Sequence, residues 1–200
     1  MQQKKIFGIF IFAIPAIYVV LNIPGMGLGE WLATVAFIGT WLLFRFGIKK
    51  DITGDLIAGM IVGATVEYLT EAYWDYNLNV YIYKDISFFV VMGWGYSFTY
   101  FIFISELLYK KLFNKSSISM FDKRIILCDA LVGPVWFIAN EYIGMHVLNL
   151  WAYSSSAGWS TIIPVIRYPL EGLIGSVFFS ITFPAFIRYW QKKFDFGPCL

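Results

Sequence analysis

The sequence predicts an all-α, polytopic membrane helix bundle, with about six transmembrane helices in a single domain over residues 1–200, an internal hairpin repeat and cytoplasmic termini. Three observations predict it. The 200 residues are 59% hydrophobic and only 14% charged, whereas about a quarter of a soluble domain is charged. The apolar residues fall in six runs, each long enough to cross roughly 30 Å of hydrocarbon at about 1.5 Å per residue. The cations collect on one side of the resulting topology.

The first run, 5–23, has a basic start and a long apolar stretch without a convincing small-x-small cleavage site, so it reads as a retained anchor. The second, 30–48, opens at "GMGLGEW" and closes at "FRFGIKK". A short turn, "KKDITGD", leads to the third, 54–74. The fourth is 86–109, the fifth 124–148 and the sixth 160–188. Of the 15 Lys and Arg residues, all but Lys84 and Arg167 fall on one side of this topology. The positive-inside rule makes that side cytoplasmic. The loops "YWDYNLNVYIYKD" and "NLWAYSSSAGWS" then lie outside, and the expected location is the cell membrane, multi-pass. No nucleic-acid partner is expected. Cys128 and Cys199 fit no metal spacing and give no support for a disulfide.

The acids follow a different distribution. Asp51, Asp55, Glu106, Asp122, Asp129 and Asp195 lie near the basic side, where Lys or Arg can pair with them. Glu30, Glu67, Glu71, Asp75, Asp85, Glu141 and Glu171 lie toward the other side, where cations are scarce. An ionisable group near the bilayer centre costs on the order of 3 kcal/mol on insertion scales, so several together need mutual pairing or a function.

An internal repeat relates 54–111 to 124–193. "VEYLTEAYWDYN" ends one outgoing segment and "NEYIGMHVLNLWAY" the other. Each leads through an aromatic loop to a segment interrupted early, by "MGWG" or "YPLEG", and closed by "LLYKK" or "IRYWQKK". The first two segments form a third, weaker copy. By analogy with repeat-built transporters, a shared site belongs between the copies.

The candidate site residues come from these ends. Gly59, Gly63, Glu67, Glu71 and Asp75 recur every four residues, one slowly turning stripe if the helix continues. Its glycines allow close helix approach, so its carboxylates should face protein. Asn140, Glu141, His146 and Asn149 follow on the fifth segment. Arg167 and Glu171 stand i, i+4, the spacing of a helical ion pair, flanked by Pro164 and Pro169, which break backbone pairing. Plainer readings stand beside these. Arg167 and Glu171 also read as a structural pair, the lesser of the two readings, and His146 reads first as a solvated interface residue. Trp74, Tyr76, Tyr81, Tyr83, Trp151, Tyr153 and Trp159 also make an interfacial aromatic belt. One histidine among scattered acids identifies no metal site, and no cofactor is named by the sequence.

Buried carboxylic acids beside electron-rich rings suit proton-initiated chemistry on an alkene. An acid in an apolar site can keep its proton and act as a general acid. Aromatic faces and a second carboxylate then stabilise the carbocation. Cyclisation or hydration of an isoprenoid, a lipid-soluble small molecule delivered among membrane lipids, fits this chemistry.

From Glu141 to Glu171 the chain resembles the integral-membrane carotenoid enzymes. The small membrane lycopene cyclases pair W-x-Y with a downstream P-x-E-E, and the related carotenoid hydratases carry E-x-x-G before a Tyr. The matching positions are Glu141, Gly144, Trp151, Tyr153, Pro169 and Glu171. The resemblance implies an acid role for Glu171, with Glu141 as a second carboxylate. Gly172 stands where the second glutamate of P-x-E-E would be, and "VVMGWG" in the first copy holds no P-x-E. Glu67 and Glu71 are the further catalytic candidates. Asp75, Trp74, Trp94, Asn140, His146, Asn149, Trp151, Tyr153 and Arg167 are the substrate-binding ones.

Two other readings remain open. A small-solute, vitamin-like binding or uptake subunit would use the aromatic residues to stack on a flat ring, in a pocket open to outside water. The enzyme reading expects a pocket open sideways to lipid. An interaction protein would use its polar groups only to lock helices together. The sequence does not fix the oligomeric state.

Overall fold

Six helices form where the apolar runs lie, and the computed structural model describes residues 2–118 and 122–193. They are α1 (Gln2–Asn22), α2 (Leu28–Leu42), α3 (Thr53–Thr70), α4 (Phe88–Phe113), α5 (Arg124–Tyr142) and α6 (Leu170–Lys193). Wider π-type turns prolong α2 through Leu43–Ile48 and α5 through Ile143–Val147. Four stretches are long and apolar enough to cross a membrane: Leu28–Ile48, Phe88–Phe113, Arg124–Val147 and Leu170–Gln191. The chain is thus a helical protein with the spans of a membrane protein. By that measure α3 is not a fifth, because Gly54, Asp55, Gly59, Gly63 and Glu67 dilute its apolar content. Asp195 and Cys199 of the sequence reading lie outside the described residues.

Local chemistry sets the helix ends. At α2 the Glu30 carboxylate reaches back to the Gly27 amide at 2.9 Å, an N-terminal cap that also accepts from the Val80 amide at 3.1 Å. At α4 the Ser87 hydroxyl accepts from the Phe89 amide at 3.3 Å. α4 then stops at Asn114, which is left-handed at φ 49°.

α3 packs on α4, α5 on α6, α4 on α5 and α3 on α6, so each of these four helices touches two of the others. α2 packs on α4, and α1 joins through Phe12 on Trp41, with ring centroids 4.9 Å apart. Lipid offers no hydrophobic drive between helices, so close fit must hold them. Gly59 supplies it: a Cβ there would sit 3.0 Å from the Cα of Gly95 on α4. The side chains of Phe98, Phe101 and Ile187 fill the centre and are fully buried.

One end of the bundle carries a buried ion network. Arg188 on α6 binds Asp129 on α5 at 2.6 and 2.9 Å, and Glu106 on α4 at 3.4 Å. Lys50, just before α3, binds Glu106 at 3.2 Å and lies 3.7 Å from Asp55. This agrees with the expected pairing of Asp55, Glu106 and Asp129 with nearby cations.

The opposite end is built from loops and two short antiparallel sheets. Strand β1 (Trp74–Tyr76) pairs with β2 (Trp151–Tyr153) in the register Trp74 to Tyr153, Asp75 to Ala152 and Tyr76 to Trp151. Strand β3 (Ile162–Ile163) pairs with β4 (Tyr168–Pro169). This corrects two expectations. The run 160–188 is not one helix, because 162–169 form a hairpin and α6 starts at Leu170. The acidic stripe of the third run also breaks: α3 ends at Thr70, Glu71 enters a 3-10 turn and Asp75 a strand.

Candidate functional site

The β1–β2 pair carries the aromatic residues that hold two carboxylates at this end. Glu67, near the end of α3, is 2% exposed. Its Oε2 accepts from the Tyr76 hydroxyl at 2.7 Å, and its Oε1 from the Trp94 indole at 2.5 Å. Glu141, near the end of α5, accepts from the Trp151 indole at 2.7 Å through Oε2. Among the described residues, no hydrogen bond reaches its Oε1. Tyr76 and Trp151 are directly opposed in the strand register, with ring centroids 6.4 Å apart.

Glycines make this arrangement possible. A Cβ on Gly63 would fall within the Trp94 side chain, and one on Gly144 within the Trp151 ring. The Trp94 ring stacks on Phe98 at 5.5 Å, which fixes its indole toward Glu67. Outside the helices, burial and the neighbouring Glu67 carboxylate push the Tyr76 phenol well above its ordinary value. Burial likewise pushes up Tyr153 and Tyr168.

Glu67 and Glu141 wall one cavity of about 350 Å³. Trp74, Trp94, Asn140 and Trp151 line it with them. Six of the expected site residues therefore meet. Tyr153 stands just behind, with its ring 4.9 Å from Trp74. Among the described residues, no group of three or more His, Cys, Asp or Glu could hold a metal ion.

The remaining expected residues lie elsewhere. Glu71 pairs with Lys84 at 2.7 Å, and this hydrogen bond holds the Lys84 ammonium above its ordinary value. Asp75 is exposed on β1. His146 is exposed with its ring against Tyr142, centroids 5.1 Å apart. Asn149 is exposed, and its carbonyl accepts from the Asn77 side chain at 3.0 Å.

The expected Arg167–Glu171 helical pair does not form. Arg167 precedes α6, exposed and left-handed at φ 48°. Glu171 accepts from the Ser160 amide at 3.1 Å and from the Ser160 hydroxyl, and it does not line the cavity. Residues preceding proline avoid the helical region, so the helix begins only after Pro169. Tyr76, a member of the expected aromatic belt and not among the expected site residues, binds Glu67 directly. The signal for it was the recurrence of W-x-Y, as "WDY" at 74–76 and "WAY" at 151–153.

A second cleft of about 280 Å³ adjoins the cavity and shares Ala36, Tyr96 and Asn140 with it. Both are bounded by α2, α4 and α5. No family model matches the chain, and no curated protein or solved structure matches it.

Proposed function

We propose that this chain is a multi-pass cell-membrane enzyme that transfers a proton to an alkene of a lipid-soluble isoprenoid, leading to cyclisation or hydration. The observation that carries the reading is the pairing of Glu67 and Glu141 in one aromatic-walled cavity, each held by an indole or phenol from opposed strand positions. Pockets that enclose whole drug-sized ligands run to roughly 300–1,000 Å³. A cavity of about 350 Å³ suits one end of a long isoprenoid.

The two carboxylates take different roles. Glu67 has both oxygens engaged and serves as the fixed anion facing positive charge as it develops. Glu141 keeps an oxygen to which no described residue donates, and it is the proton donor. Protonation of the alkene breaks the O–H bond of Glu141 and forms a C–H bond. The indoles of Trp74 and Trp94 face the resulting cation. In cyclisation, a second alkene attacks the cation, and Glu141 recovers a proton from the adjacent carbon. In hydration, water adds and returns its proton to Glu141.

The architecture proposed with this reading has six spans, cytoplasmic termini and two related hairpins. The spacing Asp55, Gly59, Glu67 recurs as Asp129, Gly133, Glu141. Glu106 and Arg188 each stand four residues before a Lys-Lys pair. The α3–α4 and α5–α6 packings, and the β1–β2 pairing between the copies, support a two-fold relation. α3 crosses as the fifth such helix because other helices cover its acids. The continuation of the cavity along α2, α4 and α5 favours a lipid-soluble substrate over a water-soluble vitamin.

The test is to incubate membranes containing the protein with acyclic polyprenyl or carotenoid precursors in D₂O. The reading expects a product that carries a solvent deuteron at carbon, absent with Glu141→Gln. Unaltered precursors with the wild-type protein would reject it.

A further inference from the structure

Gly39 has no structural reason to be glycine. It lies inside α2, where glycine costs about 0.5–1 kcal/mol relative to alanine. At Gly59, Gly63 and Gly133 a Cβ would press on a neighbouring helix, which explains the residue, but at Gly39, as at Gly175 on α6, a Cβ would meet nothing within 4 Å, and of these two only Gly39 lines a cleft. Gly39 lines the second cleft with Ala36 and Thr40 from the same helix, opposite Tyr100 on α4 and Trp136 on α5.

The two clefts follow each other along α2. The cavity touches Gly29, Leu32, Ala33 and Ala36, and the second cleft touches Ala36, Gly39 and Thr40. From Gly29 to Thr40 is roughly 16 Å by the helical rise. Three side chains along the second cleft already donate to the protein, while among the described residues no hydrogen bond engages the hydroxyls of Tyr96 and Tyr100 that also line it. Thr40 donates to the Ala36 carbonyl at 2.6 Å, the Trp136 indole to Ser97 at 2.8 Å, and the Asn140 amide to the Trp136 carbonyl at 2.8 Å. Hydrocarbon lying along Thr40, Trp136 and Asn140 would displace none of these bonds. The carboxylates wall the first cleft, which the second adjoins at Ala36, Tyr96 and Asn140.

We infer that the second cleft is the tail groove of the site: it takes the polyprenyl chain of the substrate whose end lies between Glu67 and Glu141, and Gly39 sets the room for that chain. This rests on the proposed lipid-soluble substrate and adds where its chain runs and which residue gauges it.

The experiment measures binding of geraniol, farnesol and geranylgeraniol to the purified full chain by native mass spectrometry in detergent. Wild type, Gly39→Ala, Gly39→Phe and Glu141→Gln are compared. Wild-type affinity should rise with chain length. Gly39→Phe should cut the geranylgeraniol-to-geraniol affinity ratio about tenfold, the effect of about two methylene groups losing their contacts. Gly39→Ala should cut it less, while keeping the thermal midpoint at or above that of the wild type, which reports an intact fold. Affinity rising with length but an unaltered ratio in Gly39→Phe would overturn the groove and leave the substrate reading standing. Wild-type affinity independent of length would do the same. Absence of binding to the wild type by all three alcohols would overturn both.

Discussion

Tyr76 and Trp151 oppose each other across the β1–β2 pair, and each donates a 2.7 Å hydrogen bond to a different carboxylate of the same cavity. The strand pairing therefore ties the position of Glu67 to that of Glu141, although they sit on separate helices. A double-mutant cycle on Tyr76→Phe and Trp151→Phe tests this. Each single change should cost about 1–3 kcal/mol of stability by leaving a buried acceptor short of a donor. The pair should be non-additive by about 0.5 kcal/mol or more, as expected for contacting residues. Strict additivity in thermal or denaturant unfolding would show the two carboxylates to be held independently.

The ion network at the opposite end should be sensitive to which member is removed. Arg188 contacts both Asp129 and Glu106, so Arg188→Gln leaves buried anions uncompensated and should cost about 3–5 kcal/mol. Among the described residues, Asp55 has only the 3.7 Å approach of Lys50 and no hydrogen bond to either oxygen. Asp55→Asn removes a buried charge with little compensation and should therefore cost less than Arg188→Gln. Unfolding midpoints of the two variants, compared in one detergent, check the order.

Gly63→Leu should damage both packing and site. The new side chain must displace Trp94, whose indole bonds Glu67 at 2.5 Å. Overpacking of this kind costs about 1–3 kcal/mol. Because Trp94 moves, activity should fall further than in a variant of equal stability loss made at Gly59, whose nearest neighbours are Gly95 and Phe98. Assays of both variants at matched folded fraction would reveal the difference.

Alkaline pH should loosen the loop end. Burial pushes the phenols of Tyr76, Tyr153 and Tyr168 up. A group with a raised folded pKa contributes stability that is full below its unfolded pKa and is lost as pH rises toward the folded one. The ordinary phenol value is about 10, so the unfolding midpoint should decline above that pH. Tyr76→Phe removes one contributor and should make the decline shallower, while near neutral pH it lowers the midpoint through the lost hydrogen bond.

The helices were legible because long apolar runs with basic ends leave few alternatives. Glu67 and Glu141 were legible for a related reason: an acid far from any cation in such a run must find partners among other side chains. The Arg167–Glu171 pair was misread because i, i+4 spacing means proximity only inside a helix, and Pro169 delays α6 until Leu170. Glu71 and Asp75 were misplaced by extending a four-residue period past Thr70, where α3 ends. The β1–β2 pairing joins three-residue strands from distant loops. Strands that short carry no periodicity, so only the recurring W-x-Y could have linked them, and with it the bond from Tyr76 to Glu67.

The most direct test of the carboxylate site sets Glu141→Gln against Glu171→Gln, both expressed with polyprenyl or carotenoid precursors and compared with wild type by mass spectrometry of extracted lipids. The account predicts a wild-type product of unchanged mass and shifted retention, or of mass increased by one water. It should be lost with Glu141→Gln and retained with Glu171→Gln, whose carboxylate serves the Ser160 turn. Product made by Glu141→Gln but lost with Glu171→Gln would contradict the account and return the acid role to Glu171.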